Sequence, residues 1–195
     1  MTEAETRQQI ILAAFRLAAE KGFANLSMND LVRESGVSKG GIYWHFKNKD
    51  EIIQAMFDFI LAAQIRIVDA TLSETGSATE KLRRIFRLAE QEAAEQFASP
   101  LDLYALAAHD KTLSQRLSAY FDAYQQRIIV LVQQGIDEGV FAPHDPRLTA
   151  INIISLLEGV FLVGLSFSPM SDFGAQVENA VNLLLEGLSK RHKEV

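Results

Sequence analysis

Ser35-Gly-Val-Ser-Lys-Gly-Gly-Ile-Tyr-Trp-His-Phe-Lys-Asn-Lys49 is the stretch from which the rest of the chain can be read. Gly36 closes a short helical segment that starts at Ser27, whose hydroxyl can cap the amides ahead, with Asp30 three residues on. Ser38 offers the same cap to a second segment running through Tyr43 to His45. Val37, Ile42 and Phe46 fall at i, i+5 and i+9, close enough to one helical face to pin that segment on its neighbours. Lys39, Gly40, Tyr43 and Trp44 are left pointing outward. Two short helices joined by a tight turn with a glycine make a helix-turn-helix.

The residue types are more specific than the spacing. The string from Ser35 to Lys49 resembles the signature of the TetR family. There a Gly-Val turn leads into a recognition helix ending Tyr-x-His-Phe, and a lysine then starts the next helix. The likeness extends upstream through Arg7–Gly22, with Gly-Phe at its end, and through Leu31-Val32, so that residues 1–55 are covered closely. Beyond them it is a likeness of helix count, length and order. The resemblance implies an all-α fold, with a helix-turn-helix DNA-binding domain over residues 1–50 and a ligand-binding and dimerisation domain over 51–195. It also implies a transcriptional repressor that binds double-stranded operator DNA of near-palindromic sequence as a homodimer, released by a small-molecule effector.

The overall charge of −6 argues against nucleic acid at first sight. The balance is local, however: from Arg33 to Lys49, four basic residues (Arg33, Lys39, Lys47, Lys49) outnumber one acid (Glu34), a surplus of +3. What matters for DNA is the field at the contact face. The candidate DNA-facing residues are Asn29, Ser38, Lys39, Gly40, Gly41, Tyr43, Trp44, His45 and Lys49. Lys39 can donate to guanine O6 and N7 or to a phosphate. The resemblance places the Tyr43 hydroxyl and Lys49 on phosphates, Lys49 beside the amides that open the next helix. Trp44 either faces DNA or fills the small three-helix core, and Asn29 either pairs with adenine or is a solvated helix-start residue. His45 reads as packing or bonding within the domain. Gly40-Gly41 departs from what many TetR-family members place there. A helical glycine costs about 1 kcal/mol relative to alanine. It removes a side chain that could read a base, and it lets the backbone come close. Sequence preference should then rest on Lys39, Asn29 and DNA shape.

Composition bounds the remaining classes. Hydrophobic residues make up 48% of the 195, with only four prolines, so a sizeable helical core is expected. The absence of cysteine removes disulfides, thiolate metal sites and cysteine nucleophiles. Of His45, His109, His144 and His192, none stands at i, i+4 from a second ligand, and neither metal nor cofactor is expected. Nor is an enzyme. Gly-x-Gly-x-x-Gly is missing, and Gly36 to Gly41 has P-loop spacing but runs on into Ile42-Tyr43. Gly164-Leu-Ser-Phe-Ser168 is one residue short of a nucleophile elbow and lies in a helical pattern. His109-Asp110 lacks the upstream histidine that a metal-dependent phosphohydrolase needs. Residues 1–7 are polar and unlike a signal peptide, which suggests a cytoplasmic protein. Ile151–Phe167 is the most apolar run, but it holds Asn152, Ser155 and Glu158 and falls short of the roughly 20 residues that span a bilayer. It reads as a buried bundle helix, with no membrane partner.

Nine helices are expected in order. Thr6 and Gln9 have the spacing of a capping box for the first, which Gly22 stops. The fourth runs from Lys49 to near Ala70, before a polar linker Ser73–Thr79. Glu80–Phe97 is amphipathic, Ser99-Pro100 opens a short helix to His109-Asp110, and Leu113–Glu138 ends at Gly139. Arg147–Phe167 and Asp172–Lys190 complete the chain, parted by Ser168–Ser171.

The family resemblance implies that helices five to seven enclose the effector and that the last two pack in a four-helix bundle with a second subunit. Ile151, Ile154, Leu157, Phe161 and Leu165 form one apolar stripe, and Val177, Val181, Leu184, Leu185 and Leu188 form another. Candidate effector contacts are Phe86, Tyr104, His109, Phe121, Tyr124, Glu158 and Phe161, because pockets are mostly apolar with a few placed polar groups. Phe and Tyr at helical spacing also serve as ordinary core. Glu158 is the lone charge between Ile151 and Phe167. A buried carboxylate needs a partner, whether a cationic ligand, a basic group across the dimer or a hydrogen bond within the bundle. A second functional reading keeps the DNA-binding half and gives the C-terminal surface to a protein partner. The basic tail Lys190-Arg191-His192-Lys193 complements the negative end of the last helix.

Overall fold

A computed structural model describes residues 2–95, 100–167 and 172–189. Phe97, Ser99, Ser168–Ser171 and the basic tail from Lys190 therefore lie outside the described residues. The helices are α1 (Glu3–Lys21), α2 (Met28–Ser35), α3 (Lys39–His45), α4 (Lys49–Ser73), α5 (Ala78–Glu95), α6 (Pro100–His109), α7 (Lys111–Asp137), α8 (Pro146–Phe167) and α9 (Phe173–Leu188). A 3-10 turn, Phe23–Asn25, follows α1. Among the described residues the one β feature is an isolated antiparallel bridge between Phe141 and Ser189. The chain divides into two compact units, residues 1–62 with 96–116 and residues 63–95 with 117–195. The division falls inside α4, and α6 with the start of α7 joins the N-terminal helices.

In the first unit, α1 begins one turn earlier than Thr6 and Gln9 suggest. The Thr2 hydroxyl accepts from the Glu5 amide at 3.2 Å, and the Glu5 carboxylate accepts from the Thr2 amide at 2.7 Å, a complete capping box. Gln9 is used elsewhere: its Nε2 donates to the Ser35 carbonyl at 2.6 Å and ties α1 to the end of α2. Ser27 and Ser38 cap α2 and α3 as the sequence predicts, accepting from the Asp30 and Gly41 amides. Gly36 closes α2 at φ 68°, a left-handed position that suits glycine. Ile10, Ala14, Leu31, Ile42 and Phe46 are buried and hold the three helices together. Arg116 pairs with both carboxylate oxygens of Asp58.

In the second unit, the link between α4 and α5 is shorter than its polar residues suggest, since helix persists to Ser73 and resumes at Ala78. The buried Lys81 ammonium donates to the Leu72 carbonyl at 3.1 Å and to Gln134 Oε1 at 3.2 Å. Gln134 Nε2 in turn donates to the Gly76 carbonyl at 3.0 Å, so the turn is pinned on α7. Arg127 grips Asp69 through two bonds of 2.6 and 3.0 Å, and this pairing holds the Asp69 carboxyl below the usual carboxylate range. Asp145 caps α8 by accepting from the Arg147 and Leu148 amides, with Pro146 at the first helical position.

Helix α8, at 22 residues, is longer than the apolar run Ile151–Phe167, and it is long and apolar enough to cross a bilayer by length and composition only, a test that core helices of soluble proteins also pass. It is buried on one face only. Thr149, Ala150, Ile153, Ile154, Leu157 and Gly164 are covered, while Leu148, Ile151, Val163 and Phe167 are exposed. Of the two predicted stripes, Ile154 and Leu157 on α8 and Val177, Val181, Leu185 and Leu188 on α9 are buried, Phe161, Leu165 and Leu184 are half-buried, and Ile151 is exposed. Exposed apolar residues thus remain on both helices, Leu148, Ile151, Val163 and Phe167 on α8 and Leu183 on α9.

Gly164 lets α9 approach α8. A Cβ there would sit 2.5 and 2.6 Å from atoms of the Phe173 ring, which also packs edge-on against Phe161 at 5.2 Å between centroids. Alanine improves helix propensity by about 1 kcal/mol, whereas overpacking costs about 1–3 kcal/mol. Gly164→Ala is therefore expected to lower the melting temperature. An unchanged or higher value in a thermal melt would show that the Phe173 ring yields freely.

Candidate functional site

The helix-turn-helix presents α3 with a divided surface. Val37, Ile42 and Phe46 face inward at 9, 0 and 2% exposure, whereas Tyr43 and Trp44 are 46 and 79% exposed. This excludes the reading of Trp44 as core filler. Asn29, Ser38, Lys39 and Gly40 are exposed, and Gly41, His45 and Lys49 are half-buried. The His45 ring lies 6.5 Å from that of Phe46, consistent with packing inside the domain.

Charge on this face is sorted by pairing. Glu34 bonds to Arg16 at 2.5 Å, and Asp30 lies between Lys21 at 3.1 Å and Arg33 at 2.6 Å. The hydrogen bond from the Ser27 hydroxyl, followed by that from Lys21, holds the Asp30 carboxyl below its ordinary range. The acids of α2 are thus neutralised locally, while Lys39 and Lys47 stand exposed. Asn48 was missed in the sequence. Its Oδ1 accepts from the Glu51 amide at 2.9 Å, and the Glu51 carboxylate accepts from the Lys47 amide at 2.8 Å. Asn-x-x-Glu was the available signal, and it sets Lys47 and Lys49 at the amide-rich start of α4. Arg7 was also overlooked; its guanidinium sits 5.1 Å from the centre of the Phe46 ring.

The expected effector residues are only partly brought together. Tyr104 and His109 lie on α6, in the first unit, and the other five lie in the second. There Tyr120 stands 5.1 Å from Phe121 and 5.5 Å from Tyr124, forming a short aromatic ladder along α7. Tyr124 is fully buried, and burial first, then the nearby negative charge of Glu158, pushes its hydroxyl pKa well up. The sequence did not show that Glu158 and Tyr124 come together. Phe161 is engaged with Phe173, and Phe86 is buried on α5. Phe86 also lines a recess of about 400 Å³ between α5 and α9, with Arg83, Arg87, Glu90 and Val177 among its other walls. A wider recess of about 1070 Å³ lies over the end of α7, lined by Val130, Gln133, Asp137 and Arg147 among others, and includes none of the expected effector residues.

Comparison with known proteins places this arrangement. Residues 10–56 match the family described as bacterial regulatory proteins, tetR family, and residues 67–189 match the BetI-type transcriptional repressor, C-terminal. The chain belongs to the TetR family. The HTH-type transcriptional regulator YfiR of Bacillus subtilis is 27% identical over 163 residues, 82% of this chain and 80% of that one. The HTH-type transcriptional regulator TtgR of Pseudomonas putida is 41% identical over 70 residues, 36% of this chain and 33% of its own. A transcriptional regulator from Saccharomonospora viridis, solved in complex with choline, superposes with a TM-score of 0.81 at 21% identity, covering 96% of this chain and 100% of that one. That similarity is one of fold. The TetR-family chain thus joins a helix-turn-helix to a helical bundle that matches the BetI-type C-terminal model.

Proposed function

We propose that this TetR-family protein is a cytoplasmic, ligand-responsive repressor that binds a near-palindromic operator as a homodimer and is released by a small apolar or aromatic effector. The observation that carries the reading is the divided surface of α3. Lys39, Tyr43 and Trp44 are exposed on a helix whose other side is locked down by Val37, Ile42 and Phe46. A recognition helix enters the major groove with its N-terminal part, where Lys39 stands. Asn29 and Ser38 flank it, Tyr43 and Lys49 take phosphates, and His45 holds the end of the helix. The exposed apolar residues of α8 and α9 support a homodimer through these two helices.

The aromatic ladder of Tyr120, Phe121 and Tyr124 suits an apolar or aromatic effector, and the negative charge of Glu158 near Tyr124 would favour one that also carries a positive charge. Choline, held by the Saccharomonospora viridis neighbour, is a molecule of that chemistry.

Two substitutions test the DNA contacts. Lys49→Ala is expected to weaken binding to every sequence alike and to lower the salt slope by about 1, as one phosphate contact is lost. Lys39→Ala should instead relax preference at one base position per half-site, at about 1–3 kcal/mol if the lysine reads a guanine. Wild-type affinity and salt dependence in both variants, titrated on the same operator, would place the contact face elsewhere.

A further inference from the structure

The two adjacent glycines of α3 have different reasons to be glycine. A Cβ on Gly41 would lie 2.8 Å from Val37 Cγ1 and 3.3 Å from Ser38 Oγ, the oxygen that caps the helix. Packing in the turn excludes a side chain there. At Gly40 a Cβ would meet nothing within 4 Å, and the backbone does not adopt positive φ. Alanine would fit the folded chain and favour the helix. Nothing inside the protein accounts for glycine at this position.

One turn further along the same face stands Trp44, whose 79% exposure is likewise unexplained by the fold. Helical side chains lean toward the N-terminus, so the indole tilts over the turn that holds Gly40. Bare backbone beside a projecting apolar ring makes a step with room for about one methyl group. In the major groove, the base edge that offers a methyl is that of thymine. We propose that Gly40 and Trp44 form a notch that reads the C5-methyl of one thymine in each half-site. Gly40 supplies closeness and Trp44 supplies apolar contact, so the missing side chain is itself the specificity element. This proposal rests on the DNA-binding reading given above.

The test uses the full-length protein and the site it selects from a DNA pool. Each thymine is replaced in turn by deoxyuridine, which pairs identically but lacks the methyl. One symmetry-related position per half-site is expected to lose about fourfold in affinity, the effect of exposing one methyl-sized group. Gly40→Ala should bind the thymine operator at least about fivefold more weakly, with a melting temperature equal to or above wild type. A merely structural glycine would show the opposite, lower stability with unchanged discrimination. Both Gly40→Ala and Trp44→Ala should lose the thymine-over-uracil preference at that position. If DNA is selected but Gly40→Ala binds as tightly as wild type, or the preference survives in both variants, the notch is overturned and the DNA-binding reading stands. If no DNA is selected, both fall.

Discussion

Val163→Glu combined with Leu183→Glu is expected to leave a folded monomer with operator affinity reduced by about a hundred- to ten-thousandfold. Val163 and Leu183 are 53 and 61% exposed in the single chain, and Leu148, Ile151 and Phe167 of α8 are exposed as well. Glycines 159 and 187 lie on the same two helices, with nothing within 4 Å of the place a Cβ would take. An apolar surface of this extent, with low spots for close approach, suits a second copy of the same helix pair. A carboxylate buried there without a partner costs several kcal/mol, and two-fold symmetry doubles each substitution. In the monomer the charges stay in water, so its own fold should persist. Loss of the dimer removes the gain from engaging two half-sites at once, about 10²–10⁴ in affinity. Light scattering and operator titration on one preparation check this result. A persistent dimer with wild-type affinity would move the interface off α8 and α9.

The second large effect is release by the effector. A coupling of about 1–3 kcal/mol lowers operator affinity some 5- to 150-fold, provided the effector binds the DNA-free form better. Helix α4 is continuous from Lys49, just after the helix-turn-helix, to Ser73 in the second unit, and it is the element a shift in population would act through. Phe121→Ala should blunt the response while leaving effector-free DNA binding intact, since Phe121 is half-buried and its loss opens no deep cavity. Tyr124→Ala would be uninformative, because Tyr124 is fully buried and its truncation would cost several kcal/mol in packing alone. Glu158→Gln separates ligand classes. It should weaken the response to cationic effectors and spare neutral aromatic ones. Operator affinity is measured with and without a compound that raises the melting temperature. Equal affinities would sink the release mechanism and favour a C-terminal surface for a protein partner.

The DNA-facing half was legible because its signals are local. Ser27, Gly36 and Ser38 cap or stop helices within a few residues of themselves, and the face made by Val37, Ile42 and Phe46 follows from helical spacing alone. At the start of α1 two capping patterns stand end to end, Thr2 with Glu5 and Thr6 with Gln9. Thr2 and Glu5 won, and Gln9 was drawn to Ser35 by a contact the local pattern does not contain. In α8 apolar residues occur nearly all round, so periodicity could not tell which stripe packs at home and which stays open. The effector site was least legible. The same aromatic residue types build core and pocket, and the proximity of Glu158 to Tyr124 arises only when α7 and α8 pack.

Sequencing the DNA that the full-length protein selects from a genomic or random pool tests the central claim most directly. A DNA-binding dimer predicts enrichment of one site with two-fold symmetry, its half-site centres one helical turn apart, about 34–36 Å or 10–10.5 base pairs. No enrichment over input, or an enriched site without two-fold symmetry, would contradict it.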